Sequence, residues 1–188
     1  MALADNDELL RRCQRGDDSA MRDLVQSYQG RIFRLAYRVF GDSARAEEVT
    51  ADALATVWER CRSWRGESQA GTWIHRVAWR VILDHQRSLR RWWRFWELDG
   101  IAESPASQQL DPSTAVAEQD ERAAVTRFVS EGIGKLPVED RALIHMHYYE
   151  QQSLAEIAVV LGVSRDALKM RLSRARQKLR VFLGDLHE

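Results

Sequence analysis

The sequence predicts an all-α fold: two small helical domains joined by a flexible acidic linker, the C-terminal one containing a helix-turn-helix. Three observations predict it. Apolar residues recur at helical period through most of the 188-residue chain, whereas no useful length alternates with period two and no Asn-Gly or Asp-Gly turn joins β-branched runs. Capping residues and glycines punctuate the periodic stretches. The formal net charge of zero conceals strong segregation, with two basic segments flanking an acidic one.

In the N-terminal part the spacing predicts helices at about 5–15, 19–40, 43–62 and 71–91, separated at Gly16, Gly41 and Gly66. Glycine is the residue that stops a helix most readily. From 58 to 94 there are nine Arg and three acids, a net of +6. From 95 to 121 there are seven acids and no Lys or Arg, together with Pro105, Pro112 and several Ser and Gln. That stretch has no sustained periodicity and is expected to be a linker. The expected division is therefore a domain at 1–94, an acidic linker at 95–130 and a second domain at 131–188.

In the second domain Leu136-Pro137 opens a helix with Glu139 and Asp140 in its first turn, where the helix dipole favours acids. Residues 153–180 carry the most specific signal. Ser153 with Glu156 three residues later has the capping-box spacing, and Leu154, Ile157, Ala158 and Leu161 form an apolar stripe before Gly162. Ser164 caps a second helix whose Leu168, Leu172, Ala175 and Leu179 share one face. The rest of that helix is basic: Arg165, Lys169, Arg171, Arg174, Arg176, Lys178 and Arg180 against Asp166 alone. A solvated helix mixes its signs to gain i,i+4 pairs. A nearly single-signed face on a helix-turn-helix calls for phosphate.

All seven tryptophans lie between Trp58 and Trp96. Trp58, beside Leu54 on an apolar side, is expected in the core. Trp73 and Trp79 alternate with His75, Arg76, Arg80 and Arg87 after the loop around Gly66, a pattern suited to single-stranded nucleic acid. Bases stack on the rings while phosphates meet the guanidinium groups. The cluster Trp92, Trp93, Phe95 and Trp96 fits a domain cover or a partner patch equally well.

Other chemistries lack their residues. Ser68 is one residue too far from Gly71 for a nucleophile elbow, and no Walker, Rossmann or HExxH pattern occurs. His145 and His147, two apart on a helix, do not share a metal, and Cys13 and Cys61 form no CxxC unit. No enzymatic activity, cofactor or metal is expected. The acids near the N-terminus do not suit a signal peptide and no apolar run is long enough to span a bilayer, so a cytoplasmic protein with reduced thiols and no membrane insertion is expected.

With both basic segments in view the chain resembles the extracytoplasmic-function (ECF) group of bacterial RNA polymerase sigma factors, in the sigma-70 family. Residues 46–60 (AEEVTADALATVWER) resemble the polymerase-binding helix, 72–87 (TWIHRVAWRVILDHQR) the minus-ten segment, and 136–180 the minus-thirty-five domain with its K-x-R-x-x-R-A-R spacing. The resemblance implies a sigma factor that binds core RNA polymerase, recognises duplex and melted promoter DNA and promotes initiation in a stress or envelope response, with an anti-sigma factor as its usual partner. It implies that Glu47, Glu48, Asp52, Leu54 and Trp58 dock on the polymerase. It places Arg65, Trp73, Arg76, Trp79, Arg80, Asp84 and Arg87 at the minus-ten strand, and Ser164, Arg165, Lys169, Arg171 and Arg174 at minus thirty-five. The chain departs from the family pattern at Ala51, Arg80, His147, Gln151, Ala167 and Met170. A stand-alone helix-turn-helix regulator and a helical protein-interaction adaptor stay open on the residues alone.

Overall fold

The structure, a computed structural model, describes residues 3–98, 129 and 131–184. Among these no strand occurs. Four helices form the N-terminal half: α1 (Leu3–Gln14), α2 (Asp18–Phe40), α3 (Ser43–Arg60) and α4 (Ala70–Leu98). The C-terminal half has a helical turn at 131–134, then α5 (Val138–Ile144), a π-helical turn at His145–Tyr149, α6 (Leu154–Leu161) and α7 (Arg165–Gly184). The acidic linker from 99 onward and the side chains of the Trp92–Trp96 cluster lie outside the described residues.

Local chemistry accounts for most boundaries. Asp17 caps α2, its carboxylate accepting from the Ser19 and Ala20 backbone N–H groups, and Asp42 caps α3 by accepting from Arg45 N at 2.6 Å. Ser19 and Arg12 also bond the Asp17 carboxylate and hold it well below the usual carboxylate range. The predicted capping box is present, with Ser153 N donating to Glu156 Oε2 at 2.8 Å and Glu156 N donating to Ser153 Oγ at 3.3 Å. Gly41 and Gly162 end their helices in the left-handed conformation, at φ 70° each.

Two ends differ from the sequence expectation. Helix α3 stops at Arg60, where a 3₁₀ turn (Cys61–Ser63) leads into a loop around Trp64. Helix α4 continues past Arg91 to Leu98, because Trp92 to Leu98 hold no glycine or proline and the first breaker is Gly100.

The cores explain why the halves adhere. One cluster, with Leu10, Leu24, Ile32, Val57 and Ile74, fastens α1 to α4 together. A second begins with Leu35, Val39, Val49, Trp79 and Ile82 of α2 to α4 and continues without a break into Leu143, Met146, Ile157, Leu168 and Leu172 of the C-terminal helices. Helix α6 lies along α4. The C-terminal half is thus packed on the N-terminal half through shared apolar contacts.

Candidate nucleic-acid interface

Helix α7 sets an exposed basic face on a buried apolar stripe. Ser164 Oγ accepts from Ala167 N at 3.2 Å, fixing the first turn. Leu168, Leu172 and Ala175 are buried against α5 and α6, which leaves Arg165, Lys169, Met170 and Arg174 in solvent and Arg171 half-buried. Met170 is 58% exposed. Lys169 pairs with Asp166 at 3.8 Å, a weak surface contact that a phosphate or base edge can displace. Further along, Arg176 Nε donates to Tyr148 Oη at 2.6 Å and lies over that ring, so it braces α7 on the π-helical turn.

The second basic surface surrounds the loop before α4. Trp64 is buried, and its indole N–H donates to Ser68 O at 2.9 Å. Gln14 Nε2 holds Trp64 O at 2.7 Å, and Gly66 turns the loop at φ 77°. Helix α4 is capped from a distance, Ala70 N donating to Asp7 Oδ1 at 2.7 Å. The loop is therefore a fixed shape, with Arg65, Trp73 and Arg76 lining a cleft of about 390 Å³. Val159 of α6 lines the same cleft.

The tryptophans on α4 need a correction. Trp73 and Trp79 were expected as stacking surfaces among arginines, yet they are only 5% and 2% exposed. Trp73 belongs to the N-terminal core, and Trp79 lies under the C-terminal helices. Each removes about 150–250 Å² of aromatic surface from water, and that gain outweighs exposure when an apolar partner is at hand. Arg65, Arg80 and Arg87 are exposed and Arg76 is half-buried. Arg87 bonds Asp84 at 3.2 Å in a solvent-exposed pair.

On α3, Glu47, Glu48 and Asp52 are exposed, Leu54 is buried and Trp58 is half-buried against the N-terminal core. Asp52 meets His85 Nε2 at 3.0 Å, and Glu48 meets Arg45 at 3.3 Å. A groove of about 510 Å³ runs between α2 and α3, lined by Gln29, Phe33, Glu47, Ala51 and Leu54. Ala51, one of the departures, is exposed and lines it. Sequence reasoning missed Trp64, Asp7 and Phe33. Trp64 alone had a local signal, as a tryptophan beside the loop glycine.

Among the described residues no cluster of His, Cys, Asp and Glu could hold a metal. His145 and His147 sit on the π-helical turn, the first buried and the second half-buried. Cys13 and Cys61 are free and buried, and burial pushes the Cys13 thiol up to about 11. No helix of the described residues is long and apolar enough to cross a membrane.

A helix-turn-helix with a basic recognition helix, joined to a four-helix unit bearing a basic loop and an acidic helix, defines a two-part helical DNA-binding protein. Residues 24–92 match the family model for sigma-70 region 2, and residues 129–179 that for sigma-70 region 4. ECF RNA polymerase sigma factor SigW of Bacillus subtilis is 27% identical over 94% of this chain and 96% of its own length. SigL of Mycobacterium tuberculosis is 29% identical over 88% of this chain and 90% of its own. The solved structure of CnrH in complex with the cytosolic domain of CnrY matches with a TM-score of 0.67 at 23% identity, over 96% of this chain and 99% of that one. The sigma factor RpoE of Bartonella quintana, solved with the anti-sigma factor NepR, matches with 0.66 at 18% identity, over 87% and 96%.

The chain belongs to the sigma-70 family of RNA polymerase sigma factors, in its ECF group. It is a transcription initiation factor and not an enzyme.

Proposed function

We propose that this sigma factor grips its promoter at two points and core polymerase at a third. The division of labour follows the domains expected from sequence, 1–94 and 131–188. In this scheme α7 enters the major groove of the minus-thirty-five duplex through Arg165, Lys169 and Arg171, with Ser164 and Arg174 toward phosphates. A rigid, capped helix suits a groove. The fixed loop at 64–69, with Arg65, Arg76, Arg80 and Arg87, takes the melted minus-ten strand, and a flipped base enters the cleft that Trp73 lines. The groove between α2 and α3, with Glu47, Glu48, Asp52, Leu54 and Trp58 at or beside it, receives the polymerase. Its acidic rim and apolar floor suit a helical hairpin with basic and apolar side chains.

The observation that carries this is the solvent-exposed, nearly single-signed face of α7 on a buried apolar stripe. A regulatory partner of the anti-sigma type belongs to this reading, supported by the similar fold of the sigma factor RpoE solved with the anti-sigma factor NepR, and so does work in the cytoplasm. The test is transcription in vitro from a promoter library with purified core polymerase, with and without the chain. Chain-dependent run-off products from a subset of promoters are expected; sequence-specific duplex binding with no effect on initiation would instead mark a stand-alone regulator.

A further inference from the structure

Helix α7 carries an apolar side chain at the centre of its basic face. At about 100° per residue, Met170 stands about 200° round the axis from Leu168 and about 160° from Leu172, so it lies opposite the buried stripe. One turn to either side are Asp166, Ala167, Ser173 and Arg174, all exposed. A single exposed methionine is ordinary on a protein surface. Its place is what matters, because in a helix-turn-helix the N-terminal residues of the second helix meet the base edges, and Met170 falls within the first two turns of α7. It takes no part in either core cluster.

The side chains on this outward face divide by chemistry. Arg165, Lys169 and Arg174 offer donors, which suit phosphates and the acceptor edge of guanine. Met170 offers no N–H or O–H, and Ala167 only a methyl. The one apolar group that base pairs show in the major groove is the C5-methyl of thymine. A methionine set against any other base edge takes polar atoms out of water with no hydrogen bond in return. Set against thymine, its unbranched thioether chain adapts to the methyl. Ala167, one turn earlier, is short enough to let the α7 backbone approach the bases, and the longer Met170 side chain spans the gap that is left. Both are positions at which the chain departs from the family pattern, so this selectivity is the chain's own.

We propose that Met170 is a specificity-determining residue of the minus-thirty-five contact, selecting thymine through its C5-methyl. This role rests on the reading of α7 as the minus-thirty-five helix.

The experiment uses holoenzyme assembled from purified core polymerase and the full chain. Duplexes retained from a pool randomised over the minus-thirty-five element define the preferred sequence. Each thymine of that sequence, on either strand, is then replaced singly by uracil, which pairs identically and lacks only the C5-methyl, and affinity is measured at fixed ionic strength. At one or two thymines the uracil duplex should bind wild-type holoenzyme about fourfold more weakly, the factor that corresponds to about 0.8 kcal/mol for one methyl-sized group. Met170→Ala holoenzyme should bind the thymine and uracil duplexes equally at those positions. Its far-UV ellipticity and its affinity for core polymerase should match wild type, which separates lost discrimination from lost fold. Uracil tolerated at every thymine, a preferred sequence without thymine, or a uracil effect that survives in Met170→Ala overturns methyl reading by Met170 and leaves α7 as the minus-thirty-five helix. A pool from which holoenzyme enriches no upstream sequence overturns both.

Discussion

Helices α4 and α7 carry comparable positive charge and are both amphipathic, yet one is presented to solvent and the other is covered. On α7 the buried stripe is narrow, Leu168, Leu172 and Ala175 with Leu179 half-buried beside them, and most of the basic side chains project outward. On α4 burial extends right round the first turns, taking in Thr72, Trp73, Ile74, His75, Val77, Ala78 and Trp79. The difference teaches that arginine spacing reports charge but not availability. Availability depends on how much apolar surface lies between the charges and on what else in the chain can cover it.

The sharpest way to break this comparison is to remove the covered aromatic. Trp79→Ala should cost about 3–5 kcal/mol in urea unfolding, since it empties part of a core shared by both halves. Met170→Ala, on the open face, should change stability by less than about 0.5 kcal/mol. Equal effects would mean that Trp79 is not buried as described. Next in size, Lys169→Ala should weaken holoenzyme affinity for the minus-thirty-five duplex by about 1–3 kcal/mol while leaving unfolding unchanged. An unaltered affinity would remove Lys169 from base reading.

Asp7→Ala should cost about 1 kcal/mol by uncapping α4 across the fold, and hydrogen exchange at Ala70 should speed up. Ser153→Ala should cost a similar amount at α6 without affecting exchange at Ala70. A smaller effect concerns Gln151, a non-glycine residue with positive φ, at 53°. Gln151→Gly relieves left-handed strain of about 1–2 kcal/mol and adds freedom to the unfolded chain. A net gain below about 1 kcal/mol in thermal unfolding is expected.

Acid should act at the seam between the halves first. Glu150 has its carboxyl lowered from 4.5 to about 2, so its contribution is present above pH 4.5 and fades as pH falls from there toward 2. His75 is held neutral by burial, so its contribution fades as pH falls below 6.5. Both slopes have the same sign. Urea-unfolding stability should fall on acidification through both windows, and Glu150→Gln should remove the part of that loss below pH 4.5.

Much of the fold could be read from the chain because its signals are local. Ser153, Glu156, Gly162 and Ser164 lie within one window, and the stripe Leu168, Leu172, Ala175 needs only helical period. What escaped reading is non-local. Asp7 caps a helix 63 residues away, and Glu150 meets Arg31 and Arg34 across more than 100 residues. The Trp73 and Trp79 pattern is ambiguous on its own, since aromatics between arginines suit stacked bases and apolar neighbours alike. Gln151, by contrast, is one of the departures from the family pattern, and its backbone is left-handed, a conformation that favours glycine.

The unequal availability of the two surfaces is tested most directly by oxidative labelling of the free chain, read residue by residue by mass spectrometry. Met170 at 58% exposure should be modified rapidly and Trp79 at 2% should be protected. Trp79 labelled in the free chain as readily as an exposed tryptophan would contradict the covered face of α4.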